Sequence, residues 1–172
     1  MTEAITTDDI RTYYIGALHA LRSASEQGEA AANHLRDKAR TEAVQSAIQD
    51  YGTTAKAHSD RIASLLDALG EAPNDFTDRI MKGIGNGTQE MMRAAPEGPA
   101  IDLAVLSGGR TGVQYLRDGF ASQPVTCRSI GLDDQAEVWA GMADEWRELK
   151  DRMNAVSAGL LDRATSGQSD AA

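Results

Sequence analysis

The sequence predicts an all-α protein built as a four-helix bundle, and three observations carry that prediction. Apolar residues recur in alternating steps of three and four along nearly the whole chain, no stretch alternates with the period of two that a strand requires, and helix-breaking residues gather at a few boundaries. Ile10, Tyr14, Ala17, Leu21, Ala24, Gly28, Ala31 and Leu35 form the first stripe. Thr6 or Thr7 caps its start, with Asp8 and Asp9 favourably placed in the first turn. Val44, Ile48, Tyr51, Ala55, His58, Ile62, Leu65 and Leu69 form the second, opened by Thr41 and stopped by Gly70 and Pro73. The third runs through Leu106, Gly109, Val113, Leu116 and Phe120, and Pro124 is expected to end or kink that helix near Ser122. Gly131 followed by Leu132-Asp133-Asp134 restarts the chain into the fourth, which carries Trp139, Met142, Trp146, Leu149, Met153, Val156 and Leu160. Narrow seams on four such helices imply a bundle.

The segment from Asn74 to Pro99 is too long for a simple helix-to-helix turn, and it reads as a crossover along the bundle. Asp75 to Ile84 and Thr88 to Ala95 look weakly helical, with Gly83, Gly85 and Gly87 as a flexible joint between them. Residues 1–164 are expected to form one helical-bundle domain, and 165–172 a small, polar, frayed tail.

Composition bounds the function. The 172 residues carry 17 Lys plus Arg against 26 Asp plus Glu, a formal net charge of −9, which disfavours phosphate backbones and anionic lipid surfaces. No nucleic-acid partner and no membrane association are expected. One cysteine permits no internal disulfide, and the start Met1-Thr-Glu-Ala-Ile-Thr-Thr-Asp-Asp9 lacks the features of a secretory leader, so a cytoplasmic setting is expected.

Four short motifs, in order, carry a family likeness. Thr6-Thr-Asp-Asp-Ile10, Arg61-Ile-Ala-Ser-Leu-Leu-Asp-Ala-Leu-Gly70, Met81-x-Gly83-Ile84 and Gly131-Leu-Asp-Asp134 resemble the YciE/YciF-type ferritin-like proteins over roughly Thr7 to Gly159. The resemblance implies a ferritin-like bundle with a crossover, a homodimer and a stress-associated role. It also implies where a di-metal site would draw its carboxylates: Ser25 on the first helix, Thr54 and His58 on the second, Val113 and Leu116 on the third, Trp146 and Leu149 on the fourth. Only the histidine could ligate. Most of those positions lie on the apolar stripes, and the chain contains no Glu-x-x-His, so the expectation is a degenerate protein with no catalytic, cofactor-binding or metal-ligating residues.

His58 interrupts an apolar stripe. It reads either as a residual metal ligand or proton-responsive group aided by Glu26, or as a core histidine bonded to Ser25, Thr54 or water, and the second reading is preferred. His19 and His34 lie off their seams and are expected to be solvated. Glu26 with Glu29, and Glu145 with Glu148, have a metal-bridging spacing but read better as solvated faces paired with Arg22 or Arg152. Gly83-Ile-Gly-Asn-Gly87 lacks the strand and the Lys-Ser/Thr of a phosphate loop.

Gly108, Gly109 and Gly112 imply a close helix approach, against Trp139 or Trp146 within the monomer or across a dimer face. The stripe containing both tryptophans could line a ligand pocket, with a packed core preferred. Cys127 beside Arg128 reads as a spectator thiol, with a lowered pKa or an intermolecular disulfide as alternatives. The expectation is therefore a non-enzymatic structural or interaction protein. Its rivals are a divergent ferroxidase or metal store using Glu26, His58 and Glu145, and a helical module that binds a protein partner.

Overall fold

The computed structural model describes residues 4–169, with side chains described to residue 166. Among the described residues five helices follow one another: α1 (Thr7–Lys38), α2 (Glu42–Asp67), α3 (Arg79–Ala94), α4 (Ile101–Ser129) and α5 (Asp133–Ser169). Short connections fold α1 against α2 and α4 against α5 as two antiparallel hairpins. Their relative direction follows from contacts at the ends. Asp102 at the start of α4 bonds Arg40 and Thr41 at the start of α2, so α2 and α4 run parallel. Two parallel helices cannot be joined by a tight turn, and the chain between them returns along the bundle as the crossover bearing α3.

The caps hold where the sequence places them. Thr6 and Asp9 form a reciprocal capping box at the start of α1. Gly70 (φ 77°) and Gly131 (φ 75°) turn the chain in the left-handed region open to glycine, ending α2 and separating α4 from α5. The seams are also as expected: all seven stripe residues of α2 from Val44 to Leu65 are buried, as are Leu106, Gly109, Val113, Leu116 and Phe120 of α4.

Three local expectations are corrected. α4 does not end at Pro124 but continues through it to Ser129. The proline removes the bond to the Phe120 carbonyl, while Ser122 Oγ and Gln123 Nε2 both donate to the Gly119 carbonyl one residue earlier, and buried Phe120 and Cys127 anchor the helix on either side. The glycines of the crossover are no joint either. α3 runs unbroken through Gly83, Gly85 and Gly87, capped by Asp78 and docked through Met81, Ile84, Thr88 and Met92 on one face. Packing of that face outweighs about 1 kcal/mol per glycine of lost propensity. Finally, α5 extends to Ser169, through Thr165 and its neighbours that composition assigns to a tail; the remaining tail residues, 170–172, and Met1 to Glu3 lie outside the described residues.

Gly108, Gly109 and Gly112 of α4 do mark close approach inside the chain, but the tryptophans are not what they meet. A Cβ on Gly108 would stand 2.0 Å from Thr88 Cγ2, one on Gly109 would meet Met153 and Ile48 at 2.7 and 2.8 Å, and one on Gly112 the Tyr51 hydroxyl at 2.6 Å.

Candidate functional site

The centre of the bundle is an aromatic cluster built around an imidazole. α2 carries His58 inward, fully buried, with its ring 5.4 Å from Phe120 of α4 and 4.9 Å, edge to face, from Trp146 of α5. Phe120 in turn meets Trp139 edge to face at 4.9 Å, and Tyr51 meets Trp146 at 6.0 Å. Such pairs add to burial because positive ring edges point at negative ring faces.

His58 Nε2 lies 2.9 Å from Glu145 Oε2 of α5, whose other oxygen accepts from Arg61 at 2.6 Å. An ionised carboxylate only accepts, so Nε2 carries the proton. The opposite nitrogen, Nδ1, is buried without a hydrogen-bond partner among the described residues. Burial holds the His58 pKa below its ordinary value, against the opposing pull of Glu145. Burial works to raise the Glu145 pKa, but the bonds from Arg61 and His58 prevail and lower it. The trio is therefore a neutral imidazole, a carboxylate and a guanidinium: an anchored polar contact at the rim of an apolar centre.

At its far end the cluster is closed by a second polar chain. Trp139 Nε1–H donates to the Tyr14 hydroxyl at 2.7 Å, which donates to Gln135 Oε1 at 2.6 Å.

The sequence pattern of a family described as a domain of unknown function, DUF892, matches residues 9–166. The chain belongs to the DUF892 family. Two solved structures share its fold. The E. coli stress protein YciF superposes with a TM-score of 0.83 over 89% of this chain and 97% of its own, at 14% identity. YcfI from Rhodopseudomonas palustris, to which a structural role is ascribed, gives 0.80 over 87% and 94%, also at 14% identity. No curated protein sequence matches the chain. The family and the fold are thus those that the ordered motifs resemble: a YciF-type ferritin-like bundle.

Within this DUF892 fold, the positions that the likeness assigns to ligands are mostly apolar and shut. Val113, Leu116, Trp146 and Leu149 are fully buried, and Ser25 donates to the Leu21 carbonyl of its own helix at 2.8 Å. Two carboxylates are buried among the described residues, and both are engaged by backbone N–H groups, with one phenol besides, and not by His58. Asp102 accepts the Arg40 and Thr41 N–H groups, and Asp78 accepts from Met81 N–H and the Tyr115 hydroxyl. Among the described residues, no three His, Cys, Asp or Glu side chains are grouped so as to hold an ion. A di-metal centre needs bridging carboxylates. One buried imidazole with a single arginine-paired carboxylate does not fit it.

The partner of His58 is Glu145, which only the rival metal-site reading grouped with it. Neither Ser25, Thr54 nor Glu26 is bonded to it; Glu26 pairs with Arg22 on the surface at 2.5 Å, as expected of a solvated face. Glu145 pairs with Arg61 and His58, whereas Arg152 approaches Asp50 at 3.8 Å. His19, expected in solvent, is 6% exposed, while His34 is exposed as read. Cys127 is buried inside α4, and burial pushes its thiol pKa up, overriding Arg128; it is no activated thiol, and its burial leaves no route to a disulfide between chains.

Proposed function

We propose that this protein is a non-catalytic, stress-associated ferritin-like protein of structural role, in which side chains fill the interior where a di-metal centre would otherwise sit. The observation that carries the reading is the enclosure of His58 by Phe120 and Trp146, with Val113, Leu116 and Leu149 buried around the same centre. Clustered carboxylates without a metal would cost several kcal/mol each, whereas each buried aliphatic or aromatic side chain contributes about 1.5–3 kcal/mol. A sequence that gives up the metal is thus stabilised by apolar replacement. The stress-associated part rests on the likeness to YciF, and the structural part on the likeness to YcfI.

Metal analysis of protein purified without chelators tests the reading. Sub-stoichiometric iron and manganese, with iron oxidation at the rate of the protein-free control, are expected. Two tightly held ions per chain, or ferroxidase turnover above that control, would overturn it. A homodimer in the cytoplasm completes the proposal, supported by the family likeness and by the acidic composition; among the described residues no helix is long and apolar enough to cross a membrane. Sedimentation equilibrium of the purified chain measures the dimer directly, and a monomer at micromolar concentration would remove it.

A further inference from the structure

Beneath α3 lies a cavity of about 280 Å³, walled by α1, α3 and α4. Leu35, Met81, Ile84 and Met92 supply its apolar surface. On the α4 side Gly108 and Gly112 carry no side chains, which leaves room for Thr88 and the Tyr51 hydroxyl against that wall. One polar group enters from α2. Tyr51 is 1% exposed and carries its hydroxyl between Gly28 and Gly112, where an added Cβ would stand 2.8 and 2.6 Å from the oxygen. The two glycines thus form a passage that brings a phenol from the second helix to the cavity under the third. No described group hydrogen-bonds that hydroxyl, and burial pushes its pKa up, so it is a neutral donor lacking an acceptor.

The surroundings add a charge preference. Among the described residues no Asp or Glu lines the cavity, in a chain of net charge −9. A wider recess shares His34, Gln89 and Met92 with it and is rimmed by exposed Lys38, Arg40 and Arg93, against Glu97 alone in its lining; Arg93 also bonds Glu90. An apolar cavity, an inner donor and an outer cationic rim are the parts of a site for an amphiphile.

The geometry points to a binding site for a small amphipathic carboxylate, whose inner oxygen accepts from Tyr51, whose apolar body lies under α3, and whose anionic head meets Lys38 and Arg40. A dry cavity of roughly 150 Å³ takes up benzene, so this one suits a body of roughly a dozen non-hydrogen atoms. No metal takes part, and of the aromatic centre only Tyr51, whose ring packs on Trp146, reaches the site through its hydroxyl, so the site stands or falls separately from the structural role proposed above.

Calorimetric titration of the full chain with 10-hydroxydecanoate at low salt tests it. Saturable binding of one molecule per chain is expected, weakening as salt rises because the rim charges are screened. Tyr51→Phe, which keeps the ring, and the double change Lys38→Gln with Arg40→Gln should each weaken binding at least tenfold without moving the melting midpoint of the free protein. Two ligands make the same comparisons on unaltered protein: decanoate lacks the inner oxygen and decane-1,10-diol lacks the charge, and each should bind at least tenfold more weakly. Absence of saturable binding overturns the site, and so does binding indifferent to the inner oxygen or to the outer cations.

Discussion

The carboxylate of Asp102, buried in the first turn of α4, accepts the backbone N–H of Thr41 at the head of α2 at 3.0 Å and that of Arg40 at 2.6 Å. Thr41 occupies the N-cap of α2 but makes no capping bond with its own side chain. The cap of one helix is therefore supplied by another, 61 residues further along the chain, and it locks α2 and α4 in parallel register. Asp102→Ala strands the donors at the positive end of a helix. We expect a loss of about 2 to 4 kcal/mol in urea denaturation, since bonds to charged groups contribute about 1.5–3 kcal/mol each. A change under 1 kcal/mol would show that water replaces the carboxylate.

Tyr14→Phe should cost about 1–3 kcal/mol, because it leaves the buried Trp139 N–H without an acceptor and Gln135 without its donor. The ring stays, so helicity by circular dichroism should not change. The indole reports the event directly: its emission should shift, and an unaltered tryptophan spectrum would contradict the assigned bond.

Acid should weaken the fold through His58. Burial depresses its folded-state pKa, while the unfolded chain titrates near the ordinary value of 6.5. Between those two values the unfolded chain binds a proton that the folded protein refuses, so stability present above pH 6.5 declines as pH falls and levels off below the folded pKa. His58→Phe should remove that part of the decline between pH 7 and 5 in urea midpoints. An imidazole resonance of His58 titrating at 6.5 would remove the effect, and one titrating above it would reverse the sign; either refutes the prediction.

Glycine substitutions should divide by location. Gly83→Ala and Gly87→Ala on the open face of α3 meet nothing within 4 Å and should each raise stability by up to about 1 kcal/mol. Gly108→Ala drives a methyl into Thr88 and should lower it by about 1–3 kcal/mol. Thermal melts of the three variants separate these outcomes, and a stabilised Gly108→Ala would mean that α3 is not held where described.

Much of this was legible in the sequence because burial in a helical bundle is a matter of period. The stripe from Val44 to Leu65 reads correctly at every step, and so do the cap at Thr6, one of the two threonines offered for it, and the breaks at Gly70 and Gly131. What failed to read was decided by partners distant in the chain. Local rules stop α4 at Pro124 and break α3 at its glycines, yet docking against other helices carries both through. The same holds at the centre. Glu145 lies off its seam, and only the metal-site reading set it beside His58, 87 residues back; that it is shared there with Arg61, one turn from His58, did not read. His19 escaped for the opposite reason, since neighbouring helices cover more than the narrow stripe.

The three glycines of α3 have a kinetic consequence. A sixteen-residue helix that forgoes roughly 3 kcal/mol of intrinsic propensity has little reason to exist apart from the groove that receives it. It is the natural first segment to open and last to close, a unit of low local free energy on a long-helix frame. In native-state hydrogen exchange its amides should surrender their protons well before those of α2 and α4. Each such opening would also unroof the cavity below, so whatever lodges there would hold this one helix shut and slow that exchange.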